Sequence, residues 1–169
     1  MRFRPEPEGE HRHAARTGVL LCNLGTPDAA TPAATRAYLA EFLSDPRVVE
    51  IPAIVWKPIL YGAILPMRPR QSAHKYQSVW LPEGSPLLVW SQKQATLLRG
   101  YLGERGHAVS VRLAMRYGNP SIPSQLTELR ARGCTRILVV PLYPQYSGTT
   151  TASVVDAVAQ WAAKARHVP

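Results

Sequence analysis

Two periods organise the apolar positions of this chain. Gly18 to Leu24 is a continuous apolar run ended by the turn Gly25-Thr26-Pro27-Asp28, His107 to Met115 alternates, and Arg136 to Val140 is again continuous. Such runs predict three strands, and the continuous ones predict strands buried on both faces. Between them the apolar residues recur at helical spacing. Helices are predicted over Thr31 to Leu43, with Pro32 in the first turn and Tyr38, Leu39, Phe42 and Leu43 on one face, over Gln71 to Trp80, and over Pro86 to Leu102. Two more are predicted over Pro120 to Ala131 and over Thr150 to Arg166, where Val154, Val158, Trp161 and Ala165 share a face. Strands joined by helical crossovers imply a parallel α/β sheet covered on both faces, with Gly18 to Leu24 central and right-handed connections.

One segment fits neither period. Pro46 to Pro69 carries Ile51, Ile54, Val55, Trp56, Ile59, Leu60, Tyr61, Ile64, Leu65 and Met67, interrupted by Pro52, Pro58 and Pro66. Prolines at that spacing prevent one long regular helix and predict a short, irregular apolar excursion. From the residues alone it reads as a cap over the core, because a soluble monomer rarely exposes so much apolar surface.

The loops at the strand ends carry the candidate chemistry. Gly25 to Asp28, Arg116 to Pro120 and Tyr143 to Thr149 all follow strands, so they converge on the carboxyl edge, where open α/β sheets bind ligands. Tyr143-Pro144-Gln145-Tyr146 makes a stiff loop able to hold flat apolar surface for a planar ligand, and Thr149 or Thr150 can cap the helix that follows. Ser85 before Pro86 reads as an N-cap.

Composition narrows the partners. With 169 residues, 46% of them hydrophobic, the chain can bury the core of one domain. The 20 Lys and Arg against 11 Asp and Glu give a formal charge of +9, mostly from arginines, which suit carboxylates or phosphates. These cations are scattered singly, so a small anionic ligand is favoured over nucleic acid. Cys22 and Cys134 fall in or beside strands and read as reduced core thiols in a reducing compartment. No stretch is apolar enough to cross a bilayer and the amino terminus lacks a signal-peptide core, so a soluble cytoplasmic protein is expected, with residues 1–17 a disordered, mixed-charge leader.

Several motifs taken together in order resemble ferrochelatases, which insert ferrous iron into a porphyrin to make haem. They are Leu21-Cys22-Asn23-Leu24-Gly25-Thr26-Pro27, Gly84-Ser85-Pro86 followed by Trp90-Ser91-Gln92-Lys93-Gln94, Met115-Arg116-Tyr117, and Tyr143-Pro144-Gln145-Tyr146-Ser147 with Thr149-Thr150. The resemblance runs from about Gly18 to the end of the chain. It implies a flavodoxin-like open parallel sheet, one lobe of a two-lobe chelatase fold, with residues 18–169 as the amino-terminal lobe and a second lobe beyond them. It also implies protoporphyrin and Fe²⁺ as substrates, no bound cofactor or resident metal, no nucleic-acid partner, and leaves a peripheral membrane contact open. By the same resemblance Leu24 touches the macrocycle, Arg68 and Ser85 hold propionates, Arg116, Tyr117, Tyr143 and Ser147 line the cleft, and the Pro52 to Pro69 excursion becomes an apolar mouth instead of a core cap.

Metal insertion also needs a base for two pyrrole protons and ligands that strip water from Fe²⁺. The family's His and Glu for these roles match nothing here. His74, His107 and His167 read as structural or solvated, so no catalytic residue is assigned and the chain alone is expected to be inactive. Arg116→Ala and Tyr143→Ala are expected to impair porphyrin chemistry without unfolding. A second reading is a non-catalytic flavodoxin-like module in which Ser147 to Thr151 cradles a phosphate or a tetrapyrrole. The flavin phosphate loop follows the first strand of that fold, whereas this loop follows the third.

Overall fold

The computed structural model describes residues 3–4 and 15–169. Three parallel strands, β1 (Arg16–Gly25), β2 (Val109–Tyr117) and β3 (Cys134–Pro141), form one sheet in the order β2-β1-β3, so β1 is central. Among the described residues six α-helices accompany them: α1 (Pro32–Phe42), α2 (Ala53–Ile59), α3 (Leu65–Gln77), α4 (Pro86–Glu104), α5 (Ile122–Ala131) and α6 (Ser153–Ala162). Two π-helical turns, at Leu60–Ile64 and Gly148–Ala152, lead into α3 and α6.

Strand alternation divides the core in two. Leu20 and Cys22 of β1 pack with Ala114 beneath Ile122, Leu126 and Leu129 of α5 and Val154, Ala157 and Trp161 of α6. Val19 and Leu21 point the other way and pack with Val111, Leu113 and Met115 beneath Leu88, Ala95, Leu98 and Leu102 of α4. A central strand covered on both faces has no solvent side, which is why Val19 to Cys22 is a continuous apolar run. β3 differs from the expectation: it is an edge strand, α4 covers β1 and β2, and Leu138 stays 58% exposed. Cys22 and Cys134 are both free and buried, and burial pushes the Cys22 thiol up to about 12.

Element boundaries move for identifiable reasons. β1 begins at Arg16, where Thr17 pairs with Val109 and Arg136, because ladder bonding needs no apolar side chain. The expected leader otherwise lies outside the described residues, apart from Phe3 and Arg4; the Arg4 amide donates to the Lys164 carbonyl at 2.9 Å. β2 starts two residues late because the His107 amide is still tied to Leu102 O, 2.9 Å away, at the end of α4. It also runs on through Arg116 and Tyr117, as Gly25 pairs with Tyr117. α6 ends at Ala162, short of the expected Arg166.

The proline-rich excursion is the largest correction. It is helical from Ala53 to Gln77, with Pro58 inside α2 and Pro69 inside α3. A π turn, Leu60–Ile64, joins the two helices between these prolines. Trp56 Nε1 donates to Leu43 O at 2.6 Å and anchors the excursion on the end of α1. An aromatic chain continues the anchorage: Tyr38 stacks on Phe42, Phe42 meets the Tyr117 ring edge-on at 5.1 Å, and Tyr76 of α3 packs edge-on against Tyr38. The helices therefore rest on the carboxyl end of the sheet.

Candidate functional site at the carboxyl edge of the sheet

Two glycines bring the strand ends together. Gly25 has φ +117°, and a Cβ placed there would lie 1.9 Å from the Tyr117 carbonyl oxygen. Gly118, at φ +81°, also passes close to Thr26, whose carbonyl oxygen would sit 2.7 Å from an added Cβ. Only glycine allows both conformations at that separation.

On this base sits a buried polar cluster. Asp45, 7% exposed, follows α1 and accepts three hydrogen bonds on Oδ2: from Arg116 Nη2 at 2.5 Å, Tyr117 OH at 2.8 Å and Ser153 Oγ at 2.6 Å. Its Oδ1 accepts from the Arg47 amide at 2.7 Å. Arg116 also donates Nε to the carbonyl and hydroxyl of Ser153 and lies over the Tyr117 ring at 4.5 Å. Arg47 in turn holds Asp156 of α6 through two bonds of 2.7 and 3.1 Å. One carboxylate thus joins the excursion, β2 and α6.

Burial pushes the Asp45 carboxyl up, but the hydrogen bonds from Ser153, Tyr117 and the Arg47 amide, with the Arg116 cation, outweigh it and hold it below the usual carboxylate value. A depressed folded-state value contributes stability that is complete above the unfolded value of about 3.9 and is lost as pH falls through the folded one. Thermal midpoints measured from about pH 6 down to about pH 3 are expected to drop at the acid end, and less so in Asp45→Asn. Parallel curves for the two proteins would contradict this.

The residues singled out from sequence fall into two groups. Tyr117 is fully buried, so it presents no surface to a ligand and is corrected from cleft lining to a support for Asp45. Arg116 is not a free cation, since Asp45 compensates it. Ser85 occupies the first cap position of α4 but makes no cap bond; it is buried and accepts from Thr26 Oγ1 at 2.8 Å, while Asn23 Nδ2 donates to Ser91. Those two contacts fasten α4 to the end of β1.

More open are Leu24, Tyr143 and Ser147, each half-buried, and Arg68, exposed on α3 and without a hydrogen bond among the described residues. The Tyr143 ring packs against the α5/α6 side of the core, and its hydroxyl, buried and raised to about 12 mainly by that burial, has no partner among the described residues. Ser147, not Thr149 or Thr150, caps the turn before α6, accepting from the Thr149 amide at 3.3 Å. Asp45 and Ser153 were missed because neither stands in a motif.

Ser85→Ala is expected to cost about 1–3 kcal/mol by leaving the buried Thr26 hydroxyl without its acceptor. Adding Thr26→Val should recover most of that loss, since removing both partners is nearly neutral. Additive losses in denaturant melts would instead show that the two hydroxyls are not coupled.

Beside the cluster lies a hollow of about 420 Å³ lined by Glu41, Asp45, Tyr61, Arg116, Asp156 and Gln160, among others. Next to Tyr61 the helices of the excursion leave apolar side chains uncovered, with Ile54 86% and Met67 76% exposed, alongside Val55 and Ile59. Among the described residues no helix is long and apolar enough to cross a membrane.

Strand order 2-1-3, helices on both faces and a site at the strand carboxyl ends define a flavodoxin-like parallel α/β lobe. The chain belongs to the ferrochelatase family, whose model matches residues 16–169. It is 65% identical over its whole length to a ferrochelatase of Polaromonas sp., 63% identical to one of Methylibium petroleiphilum, and 60% identical over 99% of its length to one of Dechloromonas aromatica. The chain spans about half the length of these relatives, 47%, 47% and 46% respectively.

Proposed function

We propose that this chain supplies the porphyrin-binding lobe of an enzyme of haem biosynthesis that inserts ferrous iron into protoporphyrin. The observation that carries the reading is the apolar shelf of α2, the π turn and α3, left exposed although anchored through Trp56 and Tyr76 at the strand ends. Stable monomers seldom expose such a surface unless it meets a ligand, another protein or a membrane. A porphyrin is a flat apolar ring bearing carboxylates, so Leu24 and the shelf would take the ring and Arg68 a propionate. Ser147 lies at the rim, and Tyr143 backs the cleft through its core-packed ring. Ser85, Arg116 and Tyr117 hold the framework. Fe²⁺ is a substrate here, and the base and the metal-carrying carboxylate would lie in the half of the longer relatives that this chain does not span.

Lys57, Arg68 and Arg70 stand among the apolar side chains of the shelf, a composition that suits peripheral contact with an anionic lipid surface facing the cytoplasm. The test is an absorbance titration of the purified chain with protoporphyrin, FMN and an oligonucleotide. A saturable shift of the main porphyrin band is expected, with no comparable response to the other two. Saturable binding of FMN alone would favour the phosphate-cradling module built on Ser147 to Thr151.

A further inference from the structure

The cation at the strand end is already consumed by a buried carboxylate. Arg116 shows 15% of its side chain to solvent, opening on the hollow it shares with Tyr61, and its guanidinium meets Asp45 at 2.5 Å. The other carboxylates of the hollow are also engaged: Asp156 by Arg47, and Glu41 by the Gly118 amide at 2.8 Å. Arg47 thus cancels the charge of Asp156 and Asp45 that of Arg116, so with Glu41 beside them the hollow has no attraction for a further anion while Asp45 is charged. On the shelf, by contrast, Arg68 is exposed and stands in no salt bridge among the described residues.

We infer that Asp45 is a positioning and orientation-determining residue: by compensating Arg116 it makes the strand-end hollow unattractive to carboxylates, so that a dicarboxylate porphyrin lies with its carboxylates toward Arg68. This rests on the porphyrin reading above. Asp45 touches no ligand in this role. It acts through Arg116, and through Ser153 and Arg47 it keeps the excursion in register with α6. A purely structural carboxylate would do the second task and not the first. The two are separable because charge at the hollow acts on a porphyrin acid and leaves its dimethyl ester nearly untouched.

The experiment measures the affinity of the 169-residue chain for protoporphyrin and for its dimethyl ester, in the unaltered protein, in Asp45→Asn, and in Asp45→Asn combined with Arg116→Gln. Asp45→Asn keeps the shape and releases the Arg116 cation, so the acid-to-ester affinity ratio is expected to rise about tenfold, the size of one charge-assisted hydrogen bond. The double variant, lacking both charges, should return the ratio to that of the unaltered chain. An unmoved ratio in folded Asp45→Asn overturns the proposal, as does a ratio that stays raised in the double variant. If Asp45→Asn fails to fold, Asp45→Ser takes its place with the same expected rise of about tenfold, and an acid-to-ester ratio within about threefold of the unaltered chain overturns the proposal. An unaltered chain that binds neither ligand overturns the porphyrin reading itself and the proposal with it. An unaltered chain that binds both while the variants disagree with expectation overturns the proposal only.

Discussion

Gly25→Ala is expected to lower the thermal midpoint by about 8–16 °C, or to abolish soluble expression. The added methyl would meet the Tyr117 carbonyl oxygen at 1.9 Å, and the backbone there holds φ +117°. The oxygen belongs to the neighbouring strand's main chain, so relief requires the β1 and β2 ends to separate. That would disturb the pairing of Gly25 with Tyr117 and the cluster around Tyr117 OH. A cost on the order of 4 kcal/mol or more places the substitution in the severe class, and for a domain of this size each kcal/mol shifts the midpoint by about 2–4 °C. Scanning calorimetry of the two proteins checks it; a midpoint within about 2 °C of the unaltered chain would show that the strand ends can part freely. Gly62, with nothing within 4 Å of an added Cβ, is the control expected to tolerate alanine.

The second large effect is expected at Arg116. Replacement by Met removes the cation from a pair whose carboxylate is 7% exposed, leaving Asp45 charged and buried with only neutral donors. Breaking one side of a buried pair costs about 3–5 kcal/mol, whereas replacing both partners by apolar groups is often neutral. Urea unfolding of Arg116→Met should therefore show a loss of that size, and Asp45→Leu with Arg116→Met a much smaller one. Equal losses in the single and double variants would mean that the charge pair contributes nothing beyond packing. On the same ground Arg116→Ala is expected to lower stability as well as act on porphyrin chemistry, since Arg116 is paired with Asp45.

The parallel α/β class, the central place of Gly18 to Leu24 and the two helix-covered faces were all legible in the order of apolar runs. Such patterns are local: a strand with no solvent face is built mostly of apolar side chains, wherever its partners lie. The loops that carry the ordered motifs also gather at one edge of the sheet, as their order along the chain implied. Less legible were the roles within that edge. Tyr117 and Ser85 have side chains that suit a ligand, yet the fold spends them on Asp45 and Thr26. Asp45 stands 71 residues from Arg116 and 108 from Ser153 along the chain, so no spacing rule joins them.

The proline-rich excursion marks the same boundary. Its composition announced apolar surface and forbade one regular helix, and both follow from residue chemistry alone. Whether that surface would face the core or solvent depended on where α1 and Tyr117 set it down. In the structure the anchors are Trp56 on Leu43 and the aromatic contacts of Tyr38, Phe42 and Tyr76, and they leave Ile54 and Met67 outward. Sequence by itself determined the strands, the helices and the edge at which they end, because backbone bonding and burial act on neighbours in the chain. Tertiary structure alone decided which cation is free and which apolar face is open, because a charge or a ring is neutralised or covered by groups that only folding brings within a few ångströms.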